Sequence, residues 1–516
     1  MGDRVYAMGS KRAGLVVAIA TGLALLAGAG QAQASDCMLS GPGLEGPTTT
    51  TFHQIPGPTL KASMIFVDFS DHPAPGAETP PQSTIGPQLA DPAANYYLAA
   101  SYDHLELDIK MDDAWVRMPH PSTSYTATTF EGQRAYMADA VTAANNAGFD
   151  FSGRQTLYVV GAPTGGTLPN SPAFTADDGN AIVVDGTRIR WGSTLGDDAH
   201  LPGGYGAHVL EHETGHTLGL PDLYRYGAPT FDTTHLGVGS WDLMGWIGPG
   251  MDMMAWHKLK LGWLEPSEWT CVQGTATADL TPLDDAGHGK KMLVAQTGPA
   301  TAYVAEVRGP SGLDSGMCDN GGVLIYKVDD NALSGWASGT PPIQVELAHP
   351  SDPGDPNGPC AALANAPFGV GPGETSDFAE GDVTVHVASG NPSTGYRVTM
   401  TGPTDDPDPP LPGHVTGAVG PRLQLSGLRK ATAQLLCPTD NAGCQGKLTL
   451  KLKGGKTLAA DRYTVATGGI AELGLKIRRS SKRALRKALG HKQRLGAKVT
   501  LDGPSGIHTT KVKLLR

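Results

Sequence analysis

The 516-residue sequence is short of charged and aromatic side chains, which make up 17% and 6% of the chain. Beyond its N-terminus it also lacks any run of the roughly 18 apolar residues that a membrane-spanning helix needs. This excludes a multi-pass membrane protein. Glycine (69 residues) and proline (40) are frequent, but their share of about a fifth stays below the roughly 25–30% typical of disordered chains. We therefore expect a folded, turn-rich protein.

Common nucleotide, calcium and redox motifs are absent as well. No Walker A loop is present, so the sequence shows no P-loop for a nucleotide. The six cysteines include no CxxC pair, which argues against a zinc ribbon or a thioredoxin-like site. Acidic clusters at 68–71, 197–198 and 405–406 lack EF-hand spacing, and Ca²⁺ is left open as a second cation.

The N-terminus has the layout of a secretory signal peptide over residues 1–34. Three basic residues precede an apolar stretch at 13–30, and a small-residue cleavage site ends at Ala34. The alternative interpretation is an N-terminal anchor helix. A signal peptide predicts a secreted, extracellular protein, with association to the cell envelope left open. In an exported chain the even number of cysteines favours disulfides, and the turn-rich loop between Cys437 and Cys444 predicts one pairing.

Shifts in composition divide the rest of the chain into regions. They are a short N-terminal segment (35–57), an α/β domain (58–270), a β-sandwich domain (271–401), a Pro-rich linker (402–421) and a basic β-sandwich domain (422–516). In the α/β region we expect strands at 62–69, 105–109, 156–160 and 181–184 and a helix at 130–148. In the last region, alternation predicts a strand at 447–453, and a short helix is expected at 481–489, closed by Gly490.

Charge is distributed unevenly along the chain. Residues 421–516 hold 21 Lys and Arg against 4 Asp and Glu, although the whole chain has a net charge of -11. Such a basic region could hold the protein near anionic cell-envelope polymers, lipid or nucleic acid by a salt-sensitive field. A solubilising spacer is an equally good interpretation. No interleaved aromatic residues support specific nucleic-acid binding.

The pattern HETGH at residues 212–216 places two imidazoles one helical turn apart on the same face. Both His212 and His216 can therefore direct a ring nitrogen at one ion, with Glu213 beside them. Gly219 can adopt a positive φ and end the helix, which lets Asp222 return to the same ion as a third ligand. The pattern predicts a Zn²⁺ site with one position open for water.

The chemistry of such a site is hydrolysis. Zinc lowers the pKa of water towards about 7, and Glu213 can take the proton as general base while a peptide carbonyl is attacked. The sequence SWDLMG that follows offers a tight turn in which Met244 could form an apolar floor under the histidines. The alternative to a catalytic site is a solvated helix with incidental histidines, or a folded but silent relative.

HETGHTLGLPDLY, SWDLMG and AWHKLKLGWL together resemble the immune inhibitor A family of bacterial secreted zinc metallopeptidases, in the metzincin clan. The segments IFVDFSD, YYLAASYDHLEL, AYVAEVRG and GVLIYKVDD are similar too, and the resemblance covers about residues 58–400. It implies a twisted α/β sheet with an active-site helix, followed by β-sandwich domains. It also implies that His212, His216 and Asp222 are the zinc ligands, Glu213 the catalytic glutamate and Met244 the Met-turn residue.

Two features depart from that family. Some metzincins place a tyrosine two residues after the Met-turn methionine, whereas this chain has Trp246 there, so the oxyanion donor stays open. Many relatives carry a long pro-segment, and only about 25 residues separate the predicted cleavage site from the resemblance. The C-terminal region resembles the Ig-like modules of exported actinobacterial proteins.

Further side chains near the motif are candidates for binding the substrate or the oxyanion. They are Tyr224, His235 and Trp246, whereas His208 and His257 are expected to have packing or surface roles. The function predicted from the sequence is a secreted zinc endopeptidase acting on proteins or peptides. The alternative is a catalytically silent envelope-binding or adhesin-like protein with a structural zinc site.

Overall fold

The computed structural model describes residues 37–55, 57–74, 80–228, 234–248, 251–315, 321–335, 340–350, 363, 365–404, 418–419, 422–436, 444–465, 470–490, 492, 494–503 and 506–515. The predicted signal peptide and most of the predicted linker lie outside these residues. In the part that is described, no helix is long and apolar enough to cross a membrane.

A mixed β-sheet forms the centre of the first half of the chain. Its strands and a separate hairpin are β1 (Thr59–Asp68), β2 (Glu106–Arg117), β3 (Thr156–Gly161), β4 (Ala173–Thr175), β5 (Ile182–Val184), β6 (Thr187–Ile189) and β7 (Trp191–Leu195). The sheet has the order β2-β1-β3-β7-β4, with β4 the antiparallel edge strand and the other strands parallel. The strands expected at 62–69, 105–109, 156–160 and 181–184 are confirmed as β1, β2, β3 and β5.

Helices cover both faces of this sheet, which explains why β1 is apolar on both sides. The helices of this part are α1 (Ile85–Ala100), α2 (Phe130–Ala147), α3 (Tyr205–Thr217) and α4 (Ala255–Lys260), with 3₁₀ turns at Pro81–Ser83, Ser122–Ser124 and Asp197–His200. Met64 and Phe66 point into the core with α1 and α3, whereas Ile65 and Val67 point into the core with α2.

Helix α2 confirms the helix expected at 130–148. The Thr129 side chain accepts a hydrogen bond from the Gly132 amide at its start, and Gly148 ends it at a φ of 102°. Helix α1 was not predicted. Its alanine-rich sequence dilutes the apolar period, and Pro92 lies inside it.

The middle of the chain folds into two facing sheets. The strands are β8 (Trp269–Cys271), β9 (Thr275–Leu280), β10 (Met292–Gly298), β11 (Thr301–Arg308), β12 (Gly322–Asp329), β13 (Ile343–Val345), β14 (Asp377–Glu380), β15 (Val383–Asn391) and β16 (Gly395–Thr401), with a 3₁₀ turn at Gly312–Asp314. One sheet has the order β13-β12-β11-β10-β8 and the other β14-β15-β16-β9. The side chains of β10, β11 and β12 alternate between two cores. Those on one face pack against the second sheet, and those on the other face pack into the same core as α1, α3 and α4. A single apolar core therefore crosses the predicted boundary at residue 270.

The C-terminal region has a core of its own. Its elements are β17 (Ala418–Val419), β18 (Arg422–Ser426), β19 (Lys430–Leu436), β20 (Cys444–Leu452), β21 (Thr457–Val465), β22 (Ile470–Lys476), a 3₁₀ turn (Arg479–Ser481), α5 (Lys482–Leu489), β23 (Arg494–Gly503) and β24 (Gly506–Leu515). The strand and the helix expected here are confirmed as β20 and α5, and Gly490 ends α5 with a positive φ.

A disulfide between Cys37 and Cys271 ties the start of the described chain to β8. The spacing of the cysteines did not predict this pairing. Cys444 is disulfide-bonded as well, but Cys437, its predicted partner, lies outside the described residues. Disulfides of this kind form in oxidising compartments.

Candidate metal centre

Helix α3 carries the HETGH sequence through the core, and two hydrogen bonds fix its rotation. The Tyr97 hydroxyl donates to the Glu211 carbonyl at 2.6 Å, and the hydroxyls of Tyr158 and Thr214 share a bond of 2.8 Å. Tyr97 comes from the neighbouring helix α1, and Tyr158 comes from the central strand β3. The opposite side of α3 therefore presents its two histidines together.

The two imidazoles meet the carboxylate of Asp222. Nε2 of His212 lies 3.1 Å from Nε2 of His216 and 3.1 Å from Oδ1 of Asp222. Nε2 of His216 lies 3.2 Å from the same oxygen. Ligand atoms of His212, Glu213 and His216 also lie within 4.8 Å of one another. The structure thus brings together all four residues that the motif singled out.

The hydrogen bonds of the two Nδ1 atoms, which point away from the centre, determine whether the Nε2 atoms can bind a cation. Nδ1 of His212 bonds the Leu243 carbonyl at 3.0 Å, and Nδ1 of His216 bonds the Leu220 carbonyl at 2.8 Å. Because a carbonyl only accepts, each Nδ1 carries a hydrogen, and in the neutral ring each Nε2 presents a lone pair. Two lone pairs and one carboxylate oxygen thus converge at 3.1–3.2 Å. This donor set fits a cation, and these residues could hold a metal ion.

The turn after α3 brings Asp222 back as the sequence predicts. Gly219 has a φ of 93°, and its amide bonds the His216 carbonyl at 3.0 Å. The Asp222 amide then donates to the Ser334 hydroxyl at 2.8 Å, and the Gly335 amide donates to the Asp222 carbonyl at 3.1 Å. The backbone of Asp222 is therefore anchored by the loop that follows β12, 112 residues further along the chain.

Asp222 and the two histidines shift each other's pKa values. Burial would raise the pKa of Asp222, but the neighbouring His216 and His212 hold it well below its usual range. Burial would lower the pKa of His216, but the Asp222 carboxylate raises it to about 9. Both shifts express the same preference of this centre for a positive charge.

Glu213 lies beside the centre with a different environment. Burial raises the pKa of its carboxyl to about 7, against a weaker opposing effect of the two histidines. It also accepts a hydrogen bond from the backbone of Ala173, in the edge strand β4. A carboxyl with a pKa close to neutrality can both accept and release a proton near pH 7.

Met244 lies under the helix as expected. A Cβ atom on Gly215 would come within 2.7 Å of its Sδ, so the small residue before His216 allows the methionine to approach the helix. The Asp242 carboxylate shapes this turn, because it accepts from the amides of Met244 at 2.8 Å and of Met254 at 2.7 Å. The same turn also directs the Leu243 carbonyl towards Nδ1 of His212.

A buried chain of charges supports the turn from behind. His257 is fully buried, with Nδ1 2.9 Å from Asp242 Oδ2 and Nε2 3.4 Å from Glu45 Oε2. Burial would lower the pKa of His257, but the two carboxylates raise it to about 10. His257 is therefore a structural cation, in keeping with the packing role expected for it, and the N-terminal segment supplies one of its partners.

The weaker candidates occupy several positions around the centre. The Tyr224 ring lies 6.1 Å from the His212 ring between centroids, and burial and the Asp222 carboxylate raise its pKa well above the usual value. His235 bonds the Gly245 carbonyl at 2.9 Å and packs on Trp246. His208 instead pairs with Glu211 at 2.8 Å, one turn before the metal-facing histidines.

Three residues of the site were missed by sequence reasoning. The Tyr226 hydroxyl donates to Asp222 Oδ2, Ser334 anchors the Asp222 backbone, and Glu45 pairs with His257. Tyr226 lies four residues after Asp222, but this segment is not helical, so the spacing gives no signal. Ser334 and Glu45 are distant in sequence and carry no local signal.

The acidic clusters considered for calcium are bonded to protein donors where they are described. Asp68 pairs with Arg117 at 2.6 Å, Asp71 accepts from Ser122, and Asp197 accepts from the amides of Thr164 and Gly166. Residues 405–406 lie outside the described residues. Within the described ranges, the histidine group of α3 is the one cluster of ligand atoms found.

No family model matches the chain, and no curated protein matches it. Among solved structures, the chain is similar to wild-type OgpA from Akkermansia muciniphila, at 10% identity over 90% of this chain and 96% of that chain, with a TM-score of 0.22. It is also similar to catalytically inactive OgpA in complex with an O-glycopeptide, at 10% identity over 91% and 98% of the two chains, with a TM-score of 0.20. At these TM-scores the matches carry no argument, and function rests on the site itself.

Proposed function

We propose that this protein is a secreted zinc-dependent endopeptidase. The observation that carries the proposal is the convergence of three lone pairs from His212, His216 and Asp222 beside the buried carboxyl of Glu213. The resemblance to immune inhibitor A peptidases leads to the same activity from the sequence motif. The metzincin-like fold class is part of the proposal, supported by the parallel sheet with an antiparallel edge strand.

Zinc is the metal that this donor set favours. Two imidazole nitrogens and one carboxylate oxygen are a common catalytic zinc set, with bond lengths of about 2.0–2.2 Å. Tetrahedral bonds of that length separate neighbouring ligand atoms by roughly 3.3 Å. The observed separations of 3.1–3.2 Å are close to this value. We assign Asp222 as the third ligand because its Oδ1 completes this triangle, which leaves Glu213 free for proton transfer.

The reaction divides between the ion and the protein. When bound, zinc supplies a Lewis acid that polarises a carbonyl oxygen and acidifies water. The Glu213 carboxylate accepts the proton from the attacking water and later delivers it to the leaving amine nitrogen. Tyr226 holds Oδ2 of Asp222, so that Oδ1 faces the centre.

Two features favour an extended peptide as substrate. Strand β4 lies at the edge of the sheet next to Glu213, and an edge strand can pair with an extended backbone. A cavity of about 330 Å³ also opens beside α3, lined by Tyr96, His208, Glu211 and Met251 among others. It is large enough for one side chain of the substrate.

Secretion is the second part of the proposal. The Cys37–Cys271 disulfide supports it, because such bonds persist in oxidising compartments. The signal-like N-terminus leads to the same expectation. Expression in the source cell with detection of the chain beginning at Ser35 in the medium tests this part directly.

The activity is tested with the purified chain beginning at Ser35. We expect cleavage of denatured casein that a zinc chelator abolishes and that added zinc restores. Glu213→Ala should remove cleavage while the protein still binds one zinc. Glu131→Ala, at an exposed glutamate in the first turn of α2, is the matched control and should keep full activity. A wild-type protein that binds zinc and cleaves no protein would instead support the silent, adhesin-like alternative.

A further inference from the structure

The C-terminal region presents a basic face on three neighbouring strands, β20, β23 and β24. Alternate side chains of these strands point into the core. The inner set is Leu448, Leu450, Val499, Leu501, Val512 and Leu514. The outer set includes two rows of identical residues. We call Lys451, Lys498 and Lys511 the lysine row, and Thr449, Thr500 and Thr509 the threonine row.

The register of the strands aligns the lysine row without offset. Lys451 lies directly opposite Lys498, and Lys498 lies directly opposite Lys511. Neighbouring strands are about 4.8 Å apart, so three ammonium groups share a stretch of roughly 10 Å. Like charges directly opposite each other destabilise a sheet. The row therefore lowers the stability of the domain that carries it.

Nothing in the described part of this region neutralises the row. No ion pair is present among the described residues from 422 to 515. Lys447 and Lys513 add further positive charge to the same face. Asp502, which lies opposite Lys447, is the one acidic residue of the three strands. The face is thus a set of cations that the fold itself leaves unpaired.

The threonine row adds hydrogen-bond donors next to these charges. Thr449 pairs with Thr500 and Thr500 with Thr509 in the register, and the last two hydroxyls lie 3.1 Å apart. Each residue is two positions from a member of the lysine row, and therefore lies on the same face. Hydroxyls beside ammonium groups suit phosphate oxygens, which accept several hydrogen bonds at once.

We propose that this face binds a linear phosphate-bearing polymer without stacked bases, such as a phosphodiester chain of the cell envelope or a polyphosphate. Several phosphates of one chain can contact the row together, which raises the affinity above that of a single phosphate. The proposal is independent of the peptidase activity.

Composition argues for such a polymer over the two other anionic partners. Residues 422–516 contain no Phe or Trp, and Tyr463 is their one tyrosine. Because Tyr463 is buried, none of these rings can stack on a nucleic-acid base. No large apolar side chain is exposed among the described residues of this region, so none can insert into lipid.

The test measures binding of the full mature chain to immobilised long-chain polyphosphate at low and moderate salt. We expect binding that weakens with salt and that falls at least about tenfold in the triple variant Lys451→Gln, Lys498→Gln, Lys511→Gln. The matched control changes three cations of α5, with Lys482→Gln, Arg483→Gln and Arg486→Gln, and should lose less than about threefold although the charge change is the same.

Specific outcomes would overturn the proposal. Equal losses in the two triple variants would show a diffuse field in place of a site. Tighter binding to single-stranded DNA or to anionic vesicles than to polyphosphate, with the same dependence on the lysine row, would assign the face to those partners. Absence of polyphosphate binding at low salt would also refute it. Because removal of the row relieves repulsion, the variant should melt no lower than the wild type, which separates lost binding from misfolding.

Discussion

At the scale of single residues, the position of Asp222 depends on groups that the sequence does not place near it. The motif predicted the histidines, Gly219 and Asp222 because helical spacing and a glycine turn are local signals. Ser334 and Tyr226, which hold the backbone and the second oxygen of Asp222, come from contacts that only the folded chain creates. Groups that orient a metal ligand are worth about 10–100-fold in metal affinity.

We therefore predict that Ser334→Ala weakens zinc binding by about tenfold, because it removes the acceptor of the Asp222 amide. Competition with a chromophoric chelator measures this affinity. Ser334→Thr keeps a hydroxyl and should restore most of it. Ser393→Ala, at an exposed site, serves as the control, and an affinity unchanged in Ser334→Ala would contradict the role assigned to the loop after β12.

The second prediction at this scale concerns the pH dependence of hydrolysis. Glu213 acts as a base only as a carboxylate, and burial raises its pKa to about 7. A bound cation stabilises the carboxylate and moves this pKa down. The rate constant kcat/KM should therefore rise with pH and reach a plateau at high pH. The apparent pKa of this rise should lie between 4.5 and 7. A rate that falls with pH over this range would exclude Glu213 as the base.

At the scale of elements, the sequence predicted what short-range patterns determine. Strands β1, β3 and β20 and helices α2 and α5 have clear apolar periods or caps, and they occur where expected. Helix α1 was missed because its many alanines dilute the period. The buried charges around the Met244 turn were missed too, since no local pattern marks Glu45 as a partner of His257.

The pairing of Glu45, His257 and Asp242 makes a prediction about stability and pH. The pKa of His257 is about 10 in the folded state and 6.5 as the ordinary value, so its contribution is complete below 6.5 and is lost as the pH rises through 10. Glu45→Gln removes one carboxylate and should shift this loss to lower pH. Urea unfolding from pH 6 to pH 10 measures it, with the exposed Glu265→Gln as control. Identical pH profiles for wild type and Glu45→Gln would contradict the pairing.

At the scale of the whole molecule, the α/β part and the two facing sheets form one unit around the site. The fully buried Arg308 of β11 donates to the Trp241 carbonyl at 2.6 Å, and Glu306 accepts from the Ala255 amide at 2.8 Å. The first contact reaches the turn that carries Met244, and the second reaches the start of α4. The sequence predicted separate regions on the two sides of residue 270, because composition reports the type of structure and not which faces share a core.

The Cys37–Cys271 disulfide gives the prediction that belongs to this scale. It joins residues 234 positions apart. Because it restricts the unfolded chain, a cross-link over a loop of that length raises the free energy of unfolding by up to about 5 kcal/mol. The double variant Cys37→Ser, Cys271→Ser should therefore unfold at a lower urea concentration. Equilibrium unfolding measures the change, and equal midpoints for variant and wild type would show that the N-terminal segment is held by its other contacts alone.

The dependence of Asp222 on Ser334 has a consequence for the order in which the protein is made. A ribosome produces the two histidines and Asp222 more than a hundred residues before the serine that anchors the Asp222 backbone. During synthesis the early chain therefore carries the helix with His212 and His216 without the contact that positions Asp222. Completion of the site is thereby delayed until residue 334 has been synthesised and folded, so a chain that stops before this point contains all the candidate ligands but not the serine that anchors the third one.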